Sequence, residues 1–238
     1  GARWSLKWRQ RAHTKELKDS CFSADASRLC TVAPDGQCLA WSLSSAGALA
    51  EPPAVVAQPS FWWHNTFASQ KRGRGGRKKS SAAQWRCVAL GPAGGAAQQL
   101  FGALNHMGGP GWVARCELAR HTVQGYVRVS SSPLTALALS ADGALVSVGT
   151  SEGELVVLKA SSLQRLIAVQ PHELFVTTVL MSSAESACGV AAITCAGDNS
   201  CIVTPLPMSK LIVAPKGLVI GLALLAALLA ILIAQYWI

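Results

Sequence analysis

Apolar residues fall into short runs along most of the chain, separated by turns rich in Gly, Asp, Asn and Ser. The runs "LTALALS" (134–140), "LVSVG" (145–149) and "ELVVLK" (154–159) are of strand length and are broken by Ala-Asp-Gly and Ser-Glu-Gly. Alternating or unbroken apolar runs between such turns predict β-strands, half buried or buried on both faces. Residues 17–43 repeat the arrangement. Without a gap, Leu17, Ser23, Ala24, Asp25 and Gly36 fall on Leu134, Ser140, Ala141, Asp142 and Gly153. A third copy begins at 175–183 and resumes at 191–206, and a worn copy fits between 85 and 118.

Ser140 and Ser182 are 42 residues apart, within the ~40–45 residue period of a WD-type propeller blade. The expected fold class is therefore all-β: a WD-type β-propeller with four blades visible, at about 13–84, 85–133, 134–171 and 172–207. His13, Leu17 and Phe22 fit the pattern of a His four residues ahead of an apolar strand position, and Asp35, Gly36 and Trp41 fit the Asp-Gly turn leading to Trp. His172, Val176 and Val179 repeat the first part, whereas Ser130 stands where the 134–171 copy needs its His. His13, Asp35 and Trp41 are expected to serve a structural hydrogen-bond network within a blade. A propeller usually closes with more than four blades. The strand-like "RWSLKW" at 3–8 reads as the trailing edge of an earlier blade, so residues 1–12 are taken as its end and the chain as N-terminally incomplete. Pairing with another subunit is the alternative way to close the ring.

The pattern changes after residue 207. Residues 217–234 carry no charged or strongly polar side chain, and eleven of these 18 are Leu, Ile or Val. Extended to Ile238 the segment has 22 residues, about 33 Å as a helix, against a bilayer core of about 30 Å. A transmembrane helix over 217–238 is expected, preceded by a juxtamembrane linker at 208–216. Lys210 and Lys216 precede it and nothing charged follows, which orients the large N-terminal part to the cytosol. Tyr236 and Trp237 suit the far interface.

Half of the residues are hydrophobic and only 14% are charged. Of the net charge of +9, six charges lie in "KRGRGGRKK" (71–79), leaving +3 elsewhere. The basic balance thus belongs to one loop at about 64–84, read as a flexible insertion; nucleic-acid binding through it, with Trp62 and Trp63 nearby, is not favoured. The eight cysteines, at 21, 30, 38, 87, 116, 188, 195 and 201, mostly sit in apolar strand-like runs without a CxxC pair, and are expected to be reduced thiols. No GxSxG nucleophile elbow, HExxH, P-loop or paired carboxylates at suggestive spacing are expected. His64, His106 and His121 are expected at solvent or in turns.

A degenerate WD propeller followed at once by a C-terminal span resembles the endoplasmic-reticulum membrane WD-repeat guanine-nucleotide exchange factors of the COPII coat, the prolactin regulatory element-binding protein family. The similarity is strongest over 147–181, where a Gly-Thr turn, a strand, "SLQRL", a second strand, a His and "FVTTV" follow the family's order. "CAGDNSCIVTPLP" (195–207) with the span after it is similar to the family's last blade and junction, and residues 12–32 to an earlier blade. The resemblance implies a small coat-initiating GTPase as partner, an endoplasmic-reticulum membrane location with the propeller in the cytosol, and exchange without covalent chemistry or a small-molecule substrate. It places the exchange loop, with its potassium ion and essential Asn, in a first blade that would precede Gly1. No catalytic, cofactor-binding or metal residue is therefore assigned in this chain. A non-catalytic, tail-anchored WD-repeat scaffold remains the alternative.

Overall fold

The computed structural model describes residues 8–45, 47–58, 83–92, 98–106, 109–182 and 189–206. Fifteen strands are assigned among them, in four antiparallel sheets that each pair their strands in sequence order. The first sheet contains β1 (Asp19–Phe22), β2 (Arg28–Val32), β3 (Cys38–Ser42) and β4 (Ala54–Val56). The second contains β5 (Gln84–Leu90), β6 (Gln99–Asn105), β7 (Gly111–Glu117) and β8 (Thr122–Ser130). The third contains β9 (Leu134–Leu139), β10 (Leu145–Thr150), β11 (Leu155–Lys159) and β12 (Arg165–Val169), and the fourth β13 (Val176–Met181), β14 (Ala191–Ala196) and β15 (Cys201–Pro205). The runs singled out at 134–140, 145–149 and 154–159 are β9, β10 and β11.

The sheets stack face to face in chain order, with the first strand of each packed on the first strand of the next: β1 on β5, β5 on β9, β9 on β13. The result is a propeller-like fold. Among the described residues no comparable packing joins the fourth sheet to the first, so no closed ring is found. The fourth sheet has three described strands rather than the four expected of a blade. Trp8 is the one described residue of the segment 3–8 and lies outside the strands; it stacks on Trp41 at 6.0 Å instead. No helix among the described residues is long and apolar enough to cross a membrane. The span at 217–238, the linker at 208–216, the basic run 71–79, Trp62, Trp63, His64 and Cys188 all lie outside the described residues.

Stacking explains the two kinds of apolar run. β10, the second strand of an inner sheet, is covered on both faces by neighbouring sheets, and β2 is covered by the second sheet on one face and by Trp8 and Ala12 on the other, so both are buried almost end to end and read as continuous hydrophobic stretches. One core lies between the first and second sheets, where Cys30, Val32 and Val56 meet Trp85, Leu100 and Leu104. Another lies between the second and third, where Phe101 and Val113 meet Leu134, Val146 and Val156. Polar ties accompany them. Asp19 accepts the amide of Val88 at 2.9 Å, and Asn105 brackets Leu134, accepting its amide at 2.8 Å and donating to its carbonyl at 2.7 Å.

Turn chemistry repeats with the sheets. The hydroxyl oxygens of Ser23, Ser140 and Ser182 accept the amides of Arg28, Leu145 and Ala191 at 2.9, 2.9 and 2.7 Å, each closing a first hairpin. Within that turn Gly143 has φ +70°, while Ala26, its counterpart 117 residues earlier, is held at φ +55°. An L-residue in that region is strained by about 1–2 kcal/mol, and a Gly loses about 0.5–1 kcal/mol of that relief to its freer unfolded chain. Ala26→Gly is therefore expected to stabilise the fold by about 0.5–1 kcal/mol, read as a higher urea midpoint with an unchanged slope.

Candidate functional site

Two constellations of titratable side chains are built into the sheets. In the first, His13 precedes β1, Thr31 lies on β2, Asp35 in the β2–β3 turn and Trp41 on β3. The Nδ1 of His13 meets Asp35 Oδ2 at 3.0 Å, and its Nε2 meets Thr31 Oγ1 at 2.9 Å. Trp41 donates its indole N–H to the same Thr31 oxygen at 2.9 Å. The partners fix the proton positions: with Nδ1–H donated to the carboxylate, Nε2 accepts the Thr31 proton and leaves Thr31 to accept from Trp41. Asp35 also accepts the amides of Thr14 and Gln37, each at 3.0 Å. Burial alone would raise its pKa, but the Gln37 and Thr14 amides and His13 together hold it below the ordinary aspartate range.

The second constellation repeats the first in the fourth sheet. His172 Nδ1 lies 3.1 Å from Asp198 Oδ2 and 2.8 Å from Ser200 Oγ, and Nε2 lies 2.8 Å from Thr194 Oγ1. Thr204 occupies the place of Trp41, two residues beyond the strand partner of the threonine. The third sheet keeps the turn without the network: Val148, Glu152 and Leu158 stand where Thr31, Asp35 and Trp41 stand in the first. There Ser130 donates to Glu154 at 3.2 Å.

A hydroxyl, an imidazole and a carboxylate in line have the order of a nucleophilic triad. Access decides against that chemistry. Thr31 is 6% exposed, Thr194 is 0% exposed, and Trp41 caps the first of them. The networks fasten each turn to the strand before it. "GTSEG" at 149–153 does spell G-x-S-x-G, yet Ser151 sits in the β10–β11 hairpin turn, its amide donating to Pro133 at 2.9 Å. A nucleophile elbow needs a strand-to-helix turn. Among the described residues no group of three or more His, Cys, Asp or Glu could hold a metal ion, and no residue is assigned to a potassium ion.

Asp198 has a consequence for pH. The Ser200 hydroxyl foremost, then the Ser200 amide, His172 and the Glu173 amide, hold its pKa at about 2. A carboxylate depressed in the folded state stabilises above its unfolded value of about 4 and loses that contribution as pH falls through about 2. Stability is therefore expected to decline between pH 4 and 2, with Asp198→Asn flattening part of the decline in acid unfolding curves.

The second network also shapes the surface. Asp198 accepts the Glu173 amide at 3.3 Å, and the Gly197 amide donates to the Phe175 carbonyl at 3.0 Å. Between these anchors Leu174 and Phe175 stand 48% and 49% exposed. The corresponding residues beside His13 are Lys15 and Glu16. Leu17, just before β1, and Phe22 on β1, each 59% exposed, Val55 on β4, and Leu180 and Val203 on the fourth sheet are further exposed large apolar side chains of the two end sheets. In the third and fourth sheets the position of Leu17 is filled by Leu134 and Val176, 1% and 0% exposed, because a preceding sheet covers them.

His13, Asp35 and Trp41 are thus brought together as the sequence predicts, with Thr31 added, and His172 gains Asp198, Ser200 and Thr194. His121 lies in the β7–β8 turn, as expected. His106 stands in the β6–β7 turn, as expected, where its carbonyl accepts the Gly109 amide at 3.1 Å; it is buried rather than at solvent, its ring edge-on against Trp112 at 6.4 Å. The seven described cysteines are free thiols. Leu174 and Phe175 are not singled out by the sequence, in which 175 simply opens the third strand copy.

No family model matches the chain, and no curated protein matches it. Among solved structures, the crystal structure of the computationally designed Ika4 protein matches with a TM-score of 0.57 at 14% identity, covering 86% of this chain and 100% of that one. At that identity the likeness concerns fold alone.

Proposed function

We propose that the four sheets are blades of a WD-type β-propeller, and that the chain acts as a membrane-anchored guanine-nucleotide exchange factor. Its substrate is the small GTPase that initiates COPII budding at the endoplasmic reticulum. The observation that supports the WD assignment is the recurrence of the His–Asp–Thr network at His13 and His172. Residues 147–181, which resemble the exchange-factor family, support the more specific reading.

Exchange of this kind is differential binding. A propeller that holds the nucleotide-free GTPase more tightly than the loaded one lowers GDP affinity by the same factor, and each tenfold is worth about 1.4 kcal/mol. A surface for that purpose must be rigid and must carry a few desolvatable anchors. The Leu174–Phe175 loop, tied down by Asp198 and Gly197, has both properties and is the candidate GTPase contact. The apolar tail at 217–238 would keep the activated GTPase at the cytosolic face of the membrane. No residue of this chain is assigned to the expulsion of GDP itself.

The test is release of a fluorescent GDP analogue from the coat GTPase, with and without the full chain. Accelerated release is expected, falling about tenfold in the Leu174→Ala/Phe175→Ala double variant. Binding without acceleration would replace this reading with the non-catalytic scaffold, and neither binding nor acceleration would end both.

A further inference from the structure

Two cysteines face each other across the last hairpin. Cys195 on β14 is the register partner of Cys201 on β15. The Ala196 amide donates to the Ser200 carbonyl at 3.2 Å, which makes 196 and 200 a hydrogen-bonded pair. The next pair inward, Cys195 and Cys201, is therefore non-hydrogen-bonded. In that position Cα atoms approach to about 4.5 Å and side chains lie close, inside the ~4.4–6.8 Å range a disulfide spans. Both thiols are free; Cys201 is exposed and Cys195 partly buried.

A second cross-strand pair supplies the contrast. Cys21 faces Cys30 across β1 and β2, and the Ser23 amide bonds the Arg28 carbonyl two residues away, so this is a hydrogen-bonded pair, whose spacing of about 5.5 Å is also within disulfide reach. Cys30 is also fully buried between the first two sheets. Access separates the two pairs: Cys201 is exposed, whereas Cys30 offers an attacking disulfide no surface.

We propose that Cys195 and Cys201 form a redox-modifiable dithiol that a small disulfide of the glutathione class converts to a cross-strand disulfide. The exposed Cys201 thiolate attacks one sulfur of oxidised glutathione, breaking its S–S bond, expelling one glutathione thiolate and leaving a mixed disulfide. Cys195 then attacks the Cys201 sulfur, forming the protein S–S bond and expelling the second glutathione. The dithiol gives up two electrons, which reduce the glutathione disulfide, and its two protons end on the two glutathione thiols. Hydrogen bonding to Cys201 raises the Cys195 pKa, in keeping with its role as the second thiol to react. The bond would staple the turn that carries Asp198 and Ser200, and so stiffen the seat of His172 and of the Leu174–Phe175 loop.

The full chain is equilibrated in glutathione buffers of increasing oxidised fraction, alkylated, and cut by an endoproteinase that cleaves before Asp198. Cleavage there puts Cys195 and Cys201 on different peptides. Oxidised protein is expected to yield the two peptides linked, separating on reduction. Because Cys188 shares the Cys195 peptide, the link is expected to persist in Cys188→Ser. It is expected to vanish in Cys195→Ser, where Cys201 carries a stable glutathione adduct, and in Cys201→Ser at its exposed position. A link that survives in either of the last two variants overturns the proposal. So does its absence under excess oxidised glutathione, or oxidation of Cys21 with Cys30 to the same extent.

Discussion

Replacing Gly153 by alanine is expected to destabilise the chain by about 3–4 kcal/mol. Gly153 lies in the β10–β11 turn at φ +82°, and a Cβ built there would meet the His172 carbonyl oxygen at 2.1 Å and the Leu174 oxygen at 2.9 Å. Both obstacles are backbone, and neither segment is free to retreat: the His172 amide donates to the Gly153 carbonyl at 3.4 Å, and the His172 ring is fastened by its network. Left-handed strain contributes about 1–2 kcal/mol, and the steric displacement about 1–3 kcal/mol. Gly36 isolates the two effects. Its φ is +86°, but the nearest atom to its Cβ would be the Gln58 amide nitrogen at 3.5 Å. Gly36→Ala should therefore cost only the strain, about 1–2 kcal/mol. Equal urea midpoints for the two variants would refute the close approach of the third and fourth sheets.

His172→Ala is expected to cost about 3 kcal/mol, expressed mainly in the fourth sheet. The ring is buried among Asp198, Ser200 and Thr194, and its loss leaves their polar groups without their shared partner. Each buried group left unsatisfied costs about 1–3 kcal/mol. All three keep another partner, since Ser200 donates to Asp198 at 2.6 Å and Thr194 reaches the Ile202 carbonyl at 3.4 Å, so the vacated volume carries most of the cost. Amide hydrogen exchange should accelerate in β13, β14 and β15 while β1–β8 stay protected. Uniform acceleration across all four sheets would show that the network does not act locally. Because the His172 ring fastens the backbone whose carbonyl faces Gly153, its loss lets that backbone retreat, and the His172→Ala/Gly153→Ala pair should be less destabilised than the single changes added together.

Much of this architecture is legible in the sequence because its devices are local. Ser23-Ala24-Asp25 and Ser140-Ala141-Asp142 close their turns with bonds spanning two to five residues, so spacing alone exposes them. His13 and Asp35 are farther apart, but the Asp-Gly turn and the following Trp41 mark their strand positions. Thr31 escapes such reading: its role depends on facing His13 from the neighbouring strand, and a Thr inside a strand carries no special signal. The second sheet is harder still, since the Asn105 tie to Leu134 is made by tertiary approach and has no sequence pattern. The burial of His106 is hidden for the same reason, being set by its packing against Trp112. The candidate contact at Leu174 and Phe175 is least legible of all, because apolar residues beside a strand are core or surface according to which neighbour covers them.

The distribution of indole rings governs what spectroscopy can follow. Among the described residues Trp8, Trp41, Trp85 and Trp112 all belong to the first two sheets or pack on them, and the third and fourth contain none. Intrinsic emission from these four fluorophores therefore watches the N-terminal half alone. Loosening around His172 would pass without a change in the colour of these four.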